Sequence, residues 1–266
     1  MIVYESTKEL FLNDILNDQL TMKIYENYKK KIGHTSRNEI RSWDNSMQYM
    51  YKVLQTNEIP EDAGVAIEYK VPTTSKRIDF ILTGMDESKK DSVVIVELKQ
   101  WEKAELVNHK DGIIKTRFAH GVSETAHPSY QAWSYASLIE NYNESVQSGD
   151  VNLYPCAYLH NYVLDEQDDL INEHYQPYLQ KAPVYVKGDV LKLRDFIKKY
   201  IKLPDQKRIL YKIENGKIRP SKSLQDSLNS MLQGNEEFVM IDTQKVVYEE
   251  AIELARQSYR TNQKNV

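Results

Sequence analysis

Asp79, Glu97 and Lys99 are the residues of this chain whose types and spacing best suit chemistry. They stand in a stretch that reads RIDFILTG (Arg77–Gly84), a charged turn (Met85–Asp91) and SVVIVELKQW (Ser92–Trp101). Two apolar runs joined by a polar loop predict a β-hairpin or two neighbouring strands. Side chains alternate across a strand, so Glu97 and Lys99 share one face and Leu98 points to the core. Val93, Val94, Ile95 and Val96 read as a strand buried on both faces. A charge at the end of such a strand is costly to bury, which argues for a role other than packing. Two carboxylates beside a lysine offer oxygen ligands to a hard divalent cation, with an ammonium to orient a nucleophile or hold a phosphate.

The elements that must position these groups are legible on either side. Residues 6–31 read as helix in two segments, with Lys29, Lys30 and Lys31 in a basic last turn before Gly33. A helix over 37–56 is signalled by the capping box Ser36-x-x-Glu39 and the stripe Ile40, Trp43, Met47, Met50 and Leu54. Gly64–Val71 is a strand ended by Pro72, and Glu68 on it is placed to reach the cleft of Asp79. Arg77 is suited to a carboxylate or to a phosphate. After Trp101 the chain to Gly121 is less regular, with a short strand at Ile113–Phe118 that sets Lys115 and Arg117 on one face as a basic strip or a solvated edge. His127-Pro128 opens a helix to about Val146, on which Gln131 and Tyr135, four apart, share a face. His120 and His127 each read as a metal or phosphate contact or as a hydrogen-bonded structural group. Strands at 152–159 and 183–186, and helices from Gly188-Asp189 to Ile201, over 206–214 and over 220–233, complete a mixed sheet flanked by helices, an α/β (α+β) fold.

Composition narrows the class. The 266 residues are 41% hydrophobic and 28% charged, enough for a core in one large domain or two small ones. The net charge of −4 gives no global attraction to nucleic acid, so binding would need a local basic patch. The single Cys156 excludes an internal disulfide and a multi-cysteine zinc site, and its apolar setting reads as a core residue in a reducing compartment. With no apolar run of membrane length and no leader pattern, a soluble cytoplasmic protein is expected. The nineteen tyrosines suit base stacking or half-buried packing.

The Asp79…Glu97-x-Lys99 arrangement resembles the PD-(D/E)XK nuclease superfamily. Around it stand Glu68-Tyr-Lys-Val-Pro72, Ser75-Lys-Arg-Ile-Asp79, Glu97-Leu-Lys-Gln-Trp101 and His127-Pro-Ser-Tyr-Gln131 followed by Tyr135. Together these resemble the nuclease-like N-terminal region of a bacterial family of DNA/RNA helicases related to the Schlafen group, over nearly the whole chain. The resemblance implies a restriction-endonuclease-like core and a Mg²⁺ or Mn²⁺ site on Asp79, Glu97 and the Leu98 carbonyl. In that superfamily a carboxylate on the first helix often joins the metal, which nominates Glu39, with Glu68 a further candidate. Gln131-x-x-x-Tyr135 resembles the fourth motif of RecB-like nucleases, where the glutamine contacts substrate or the attacking water. Arg77, Lys115, Arg117 and His127 are then candidates for nucleic-acid contact.

The tail Phe238–Glu249 resembles the segment before the phosphate-binding loop of superfamily 1 helicases, where a glutamine in the place of Gln244 reads adenine. No Gly-x-x-x-x-Gly-Lys-Ser/Thr occurs, so ATP hydrolysis is not expected. The division is a nuclease-like domain over 1–235 and a tail over 236–266, as in a piece of a longer nuclease–helicase or a stand-alone nuclease with a vestigial tail. The functional expectation is a Mg²⁺- or Mn²⁺-dependent phosphodiesterase acting on DNA ahead of RNA, partnered by a helicase domain absent from the chain. The alternatives are a catalytically inactive nucleic-acid-binding module that guides a helicase, and a docking domain that binds no nucleic acid.

Overall fold

A computed structural model describes residues 1–71, 74–118, 121–149, 151–206, 208–222, 225–226 and 239–263. Most of the helix expected over 220–233, the expected domain boundary near 234–236 and His120 lie outside these residues.

The chain opens on a strand, β1 (Ile2–Thr7), where the sequence suggested helix from residue 6. Ile2, Val3 and Tyr4 carry the β-branched and aromatic signal, and Thr7 ends the strand by capping the next helix, its Oγ1 accepting from the Leu10 N–H at 3.3 Å. Helices α1 (Lys8–Leu16) and α2 (Leu20–Lys31) are the two expected segments. Helix α3 (Arg37–Leu54) begins at Ser36, whose Oγ accepts from the Glu39 N–H at 3.1 Å, and buries Trp43, Met47, Met50 and Leu54 as its stripe requires.

β2 (Gly64–Lys70), β3 (Arg77–Met85) and β4 (Asp91–Lys99) then run antiparallel, the last two as the expected hairpin. A small second sheet follows, of β5 (Ala104–Leu106), β6 (Ile113–Phe118) and β7 (Gly121–Ala126). Only β6 was visible in the sequence, because β5 is three residues long and β7 is mostly polar. Helix α4 (Pro128–Tyr142) returns the chain, stopping four residues before the expected end, and a separate turn α5 (Glu144–Gln147) continues from Asn143. β8 (Val151–Leu159) lies parallel to β4, and β9 (Val184–Val186) parallel to β8. Helices α6 (Gln176–Leu179), α7 (Val190–Tyr200), α8 (Ile209–Asn215) and α9 (Asp242–Gln263) follow.

The main sheet has the order β1-β2-β3-β4-β8-β9, antiparallel up to β4 and parallel beyond it. Val65, Ile67, Phe80, Val94 and Val96 face α1, α2, α3 and α7, while Ala66, Ile81, Val93 and Ile95 face α4, α5 and α8. Covered on both faces, β4 is apolar throughout its middle, with Val93 to Val96 wholly buried. Alternation puts Glu97 and Lys99 on the face of Ile95, under α4. No helix among the described residues is long and apolar enough to cross a membrane.

Candidate active site

The site forms where β3 and β4 leave the core and α4 passes over them. Glu97 is 2% exposed. Its Oε1 accepts from Lys99 Nζ at 2.8 Å, so the two charges that close β4 pair with each other. Asp79 lies on β3 within side-chain reach of Glu97, and its Oδ2 accepts from the Leu98 N–H at 2.8 Å. Leu98 therefore meets the site through its amide. Burial raises the Asp79 carboxyl well above the usual range, and the neighbouring charges of Glu97 and Glu68 add to the rise. Burial also raises Glu97, against the pull of Lys99. For Lys99 burial alone would lower the ammonium, but Glu97 and Asp79 beside it raise it, and it stays charged.

One atom of this cluster is left over. Glu97 Oε2 is buried and finds no hydrogen-bond donor among the described residues. Asp79 faces it with another acceptor, so the two carboxylates satisfy each other only if one carries a proton or if a cation lies between them. An orphaned buried carboxylate oxygen beside a second carboxylate suits an oxygen-binding divalent ion. The set is small, however: no three His, Cys, Asp or Glu side chains among the described residues converge as a ready metal cage. The residues fit a cation that keeps most of its waters, as Mg²⁺ does.

The two further carboxylates proposed as ligands are engaged elsewhere. Glu68 has φ 57, in the left-handed region that non-glycine residues rarely adopt. Strict alternation would put Glu68 on the face of Ala66, under α4. The left-handed turn instead gives its Oε1 to Trp43 Nε1 on α3, at 2.8 Å, and its Oε2 to Arg77 Nε. Arg77 also reaches Glu39 Oε1 through its other nitrogen and lies over the Tyr28 ring, 5.1 Å from its centre. Glu39 Oε2 accepts from the Thr35 hydroxyl at 2.5 Å. Glu39 does not close the capping box reciprocally: an arginine thirty-eight residues away and Thr35 take its oxygens. Glu68 and Glu39 together pair with Arg77.

Gln131 and Tyr135 do meet the site. Gln131 Nε2 donates to Tyr135 OH at 3.1 Å, and Tyr135 OH donates to Asp242 Oδ2 at 3.3 Å. Burial, then the charges of Glu97 and Asp242, push the Tyr135 phenol far up, so it remains a hydroxyl donor. His127 is a correction. It is fully buried, its Nδ1 accepts from the Ser129 N–H at 3.1 Å and its Nε2 donates to the Leu170 carbonyl at 2.9 Å, with the ring stacked on Tyr175. Burial lowers it to about 4, so it is a neutral cap for α4 and contacts no nucleic acid. Lys115 and Arg117 lie on β6, the first 3.8 Å from Glu124 and the second exposed. Cys156 is wholly buried, as its setting suggested.

Two side chains were missed by sequence reasoning. Lys76, next to Arg77, donates through Nζ to Asp242 Oδ2 at 2.6 Å, and Asp242 arrives at the first residue of α9. The only local hint of Lys76 was its place in Ser75-Lys-Arg-Ile-Asp79, and nothing local links Asp242 to β3. No family model, no curated protein and no solved structure matches this chain.

Proposed function

We propose that this chain is a metal-dependent nuclease that hydrolyses phosphodiester bonds, on DNA ahead of RNA, with a restriction-endonuclease-like core. The observation that carries the reading is the buried pair Asp79 and Glu97, with the Glu97 Oε2 orphaned and a charged Lys99 beside them. Such an arrangement is expensive to fold and is retained where it does chemistry. The preference for DNA rests on the resemblance of the motifs to helicase-linked and RecB-like nucleases.

Asp79 and Glu97 would hold the cation, the Leu98 N–H fixing the Asp79 carboxylate in place. When bound, a divalent ion supplies the positive charge that keeps both carboxylates ionised, polarises a phosphoryl oxygen and acidifies a water. Lys99, held ionised by Glu97 and Asp79, stabilises negative charge developing on the phosphate. Tyr135 and Gln131 offer a hydroxyl and an amide at the edge of the same cluster, to position the strand or the water.

The test is cleavage of labelled single- and double-stranded DNA and RNA with Mg²⁺ or Mn²⁺, by the parent and by Glu97→Ala and Lys99→Ala. Cutting that both variants lose is the expected result. Absence of cutting, with binding that both variants keep, would refute it. That outcome would favour a module that binds nucleic acid and guides a helicase without cutting, a reading supported by the absence of a third converging ligand among the described residues.

A further inference from the structure

Asp242 stands inside the donor set of the site without belonging to its carboxylate pair. Its Oδ2 takes the Lys76 ammonium at 2.6 Å and the Tyr135 hydroxyl at 3.3 Å, and Gln131 Nε2 supports that hydroxyl at 3.1 Å. The Lys76 and Asp242 side chains are 24% and 13% exposed, so solvent reaches the pair. A phosphate oxygen presents the same charge and the same acceptor lone pairs to an ammonium and a hydroxyl as this carboxylate does.

The position is a poor one for a mere strut. Asp242 puts a further negative charge near Glu97, and its own φ of 32 lies in the sparsely used left-handed region. Several polar contacts tie α9 and the residues just before it to the body of the protein. Lys245 Nζ meets Asp111 at 2.8 Å, Lys110 Nζ meets Glu253 at 2.8 Å, and the Tyr130 hydroxyl donates to the Met240 carbonyl at 2.5 Å. Asp111 is exposed and Glu253 is a third exposed, so one partner of each pair remains open to solvent.

We propose that Lys76 and Tyr135, backed by Gln131, form a site for a nucleic-acid backbone phosphate, and that the chain closes this site on itself with the Asp242 carboxylate. Nucleic acid and the first turn of α9 then compete for the same donors, so the tail gates the site. The identity of the ligand rests on the nuclease reading; the competition itself is testable without any cutting.

The experiment is binding of a fluorescein-labelled single-stranded DNA 20-mer to the full chain in EDTA, followed by anisotropy. Parent, Asp242→Asn, Glu250→Gln and the double variant Asp242→Asn/Lys76→Gln are compared. Glu250 is exposed on the same helix, so its variant makes the same change of net charge away from the site. Asp242→Asn should bind about fivefold to tenfold more tightly than parent, a gain that reads the bias toward the closed state. Glu250→Gln should change affinity less than twofold, and the double variant should lose the gain. Hydrogen exchange of amides 243–250 should quicken in the parent when DNA is added. A gain for Asp242→Asn no larger than for Glu250→Gln, weaker binding, no gain because nothing binds, or a double variant that keeps the gain would each overturn the proposal. The predicted gain without Mg²⁺-dependent cleavage would sink the nuclease reading alone. Cleavage with no gain would sink the gate alone.

Discussion

Replacing Asp79 by asparagine should make the protein more stable and, on the proposed nuclease reading, unable to cut. The parent buries two carboxylates in reach of each other, with one oxygen of Glu97 unsatisfied. The amide oxygen of the new side chain can keep accepting from the Leu98 N–H, and its NH₂ can donate to Glu97 Oε2. Glu97 and Lys99 remain as a balanced pair. Satisfying a buried acceptor of this kind is worth about 1–3 kcal/mol. For a chain of this size that corresponds to a rise in Tm of about 2–4 °C per kcal/mol. The pH dependence fixes the cause. Burial and Glu97 raise the Asp79 carboxyl in the folded state, so its ionisation costs stability at neutral pH. That cost is absent below the ordinary carboxylate pKa of about 3.9, where Asp79 is protonated folded or unfolded. The advantage of Asp79→Asn should therefore be present at pH 7 and shrink as the pH falls toward 4. Urea unfolding of parent and variant from pH 4 to 8, without divalent ions, measures it. A variant that is less stable than parent at pH 7, or whose difference does not change with pH, would refute the account of two frustrated carboxylates.

Two further substitutions separate structure from site. Arg77→Ala leaves the buried Glu68 carboxylate without its cation and should cost about 3 kcal/mol in urea unfolding, with Arg77→Lys recovering only part because it cannot span Glu68 and Glu39 together. His127 has a folded-state pKa lowered by burial from 6.5 to about 4, so the unfolded chain takes up its proton first as the pH falls. Stability should drop by about 3 kcal/mol between pH 6.5 and 4, and His127→Gln should flatten that part of the profile. If His127→Gln instead changes nucleic-acid affinity with stability unaltered, the structural role assigned to the ring is wrong.

The central hairpin, the capped helix α3, the strand after α4 and the Asp79–Glu97–Lys99 group were all determined by the sequence, because each rests on local rules. Apolar runs of period two, a serine before a helix and a proline at its start act within a few residues. The pairing of Gln131 with Tyr135 follows from helical spacing alone, and their arrival over β4 follows from a helix that must bury one face on the sheet. The fate of the outlying charges was decided only in three dimensions. Glu68 stays close enough for its charge to act on Asp79, but a left-handed backbone at a glutamate, which no residue type announces, gives its oxygens to Trp43 and Arg77. Glu39 follows it because a guanidinium can serve two carboxylates at once. His127 looked chemical beside Pro128 and is a buried cap, since its surroundings come from the segment around Leu170. Lys76 and Asp242 meet across 166 residues. Alternation and capping are fixed by neighbours in sequence, whereas the partner of a charge is chosen by whichever opposite charge the fold brings within about 4 Å, where the Coulomb energy in a poorly hydrated cleft is several times that in water.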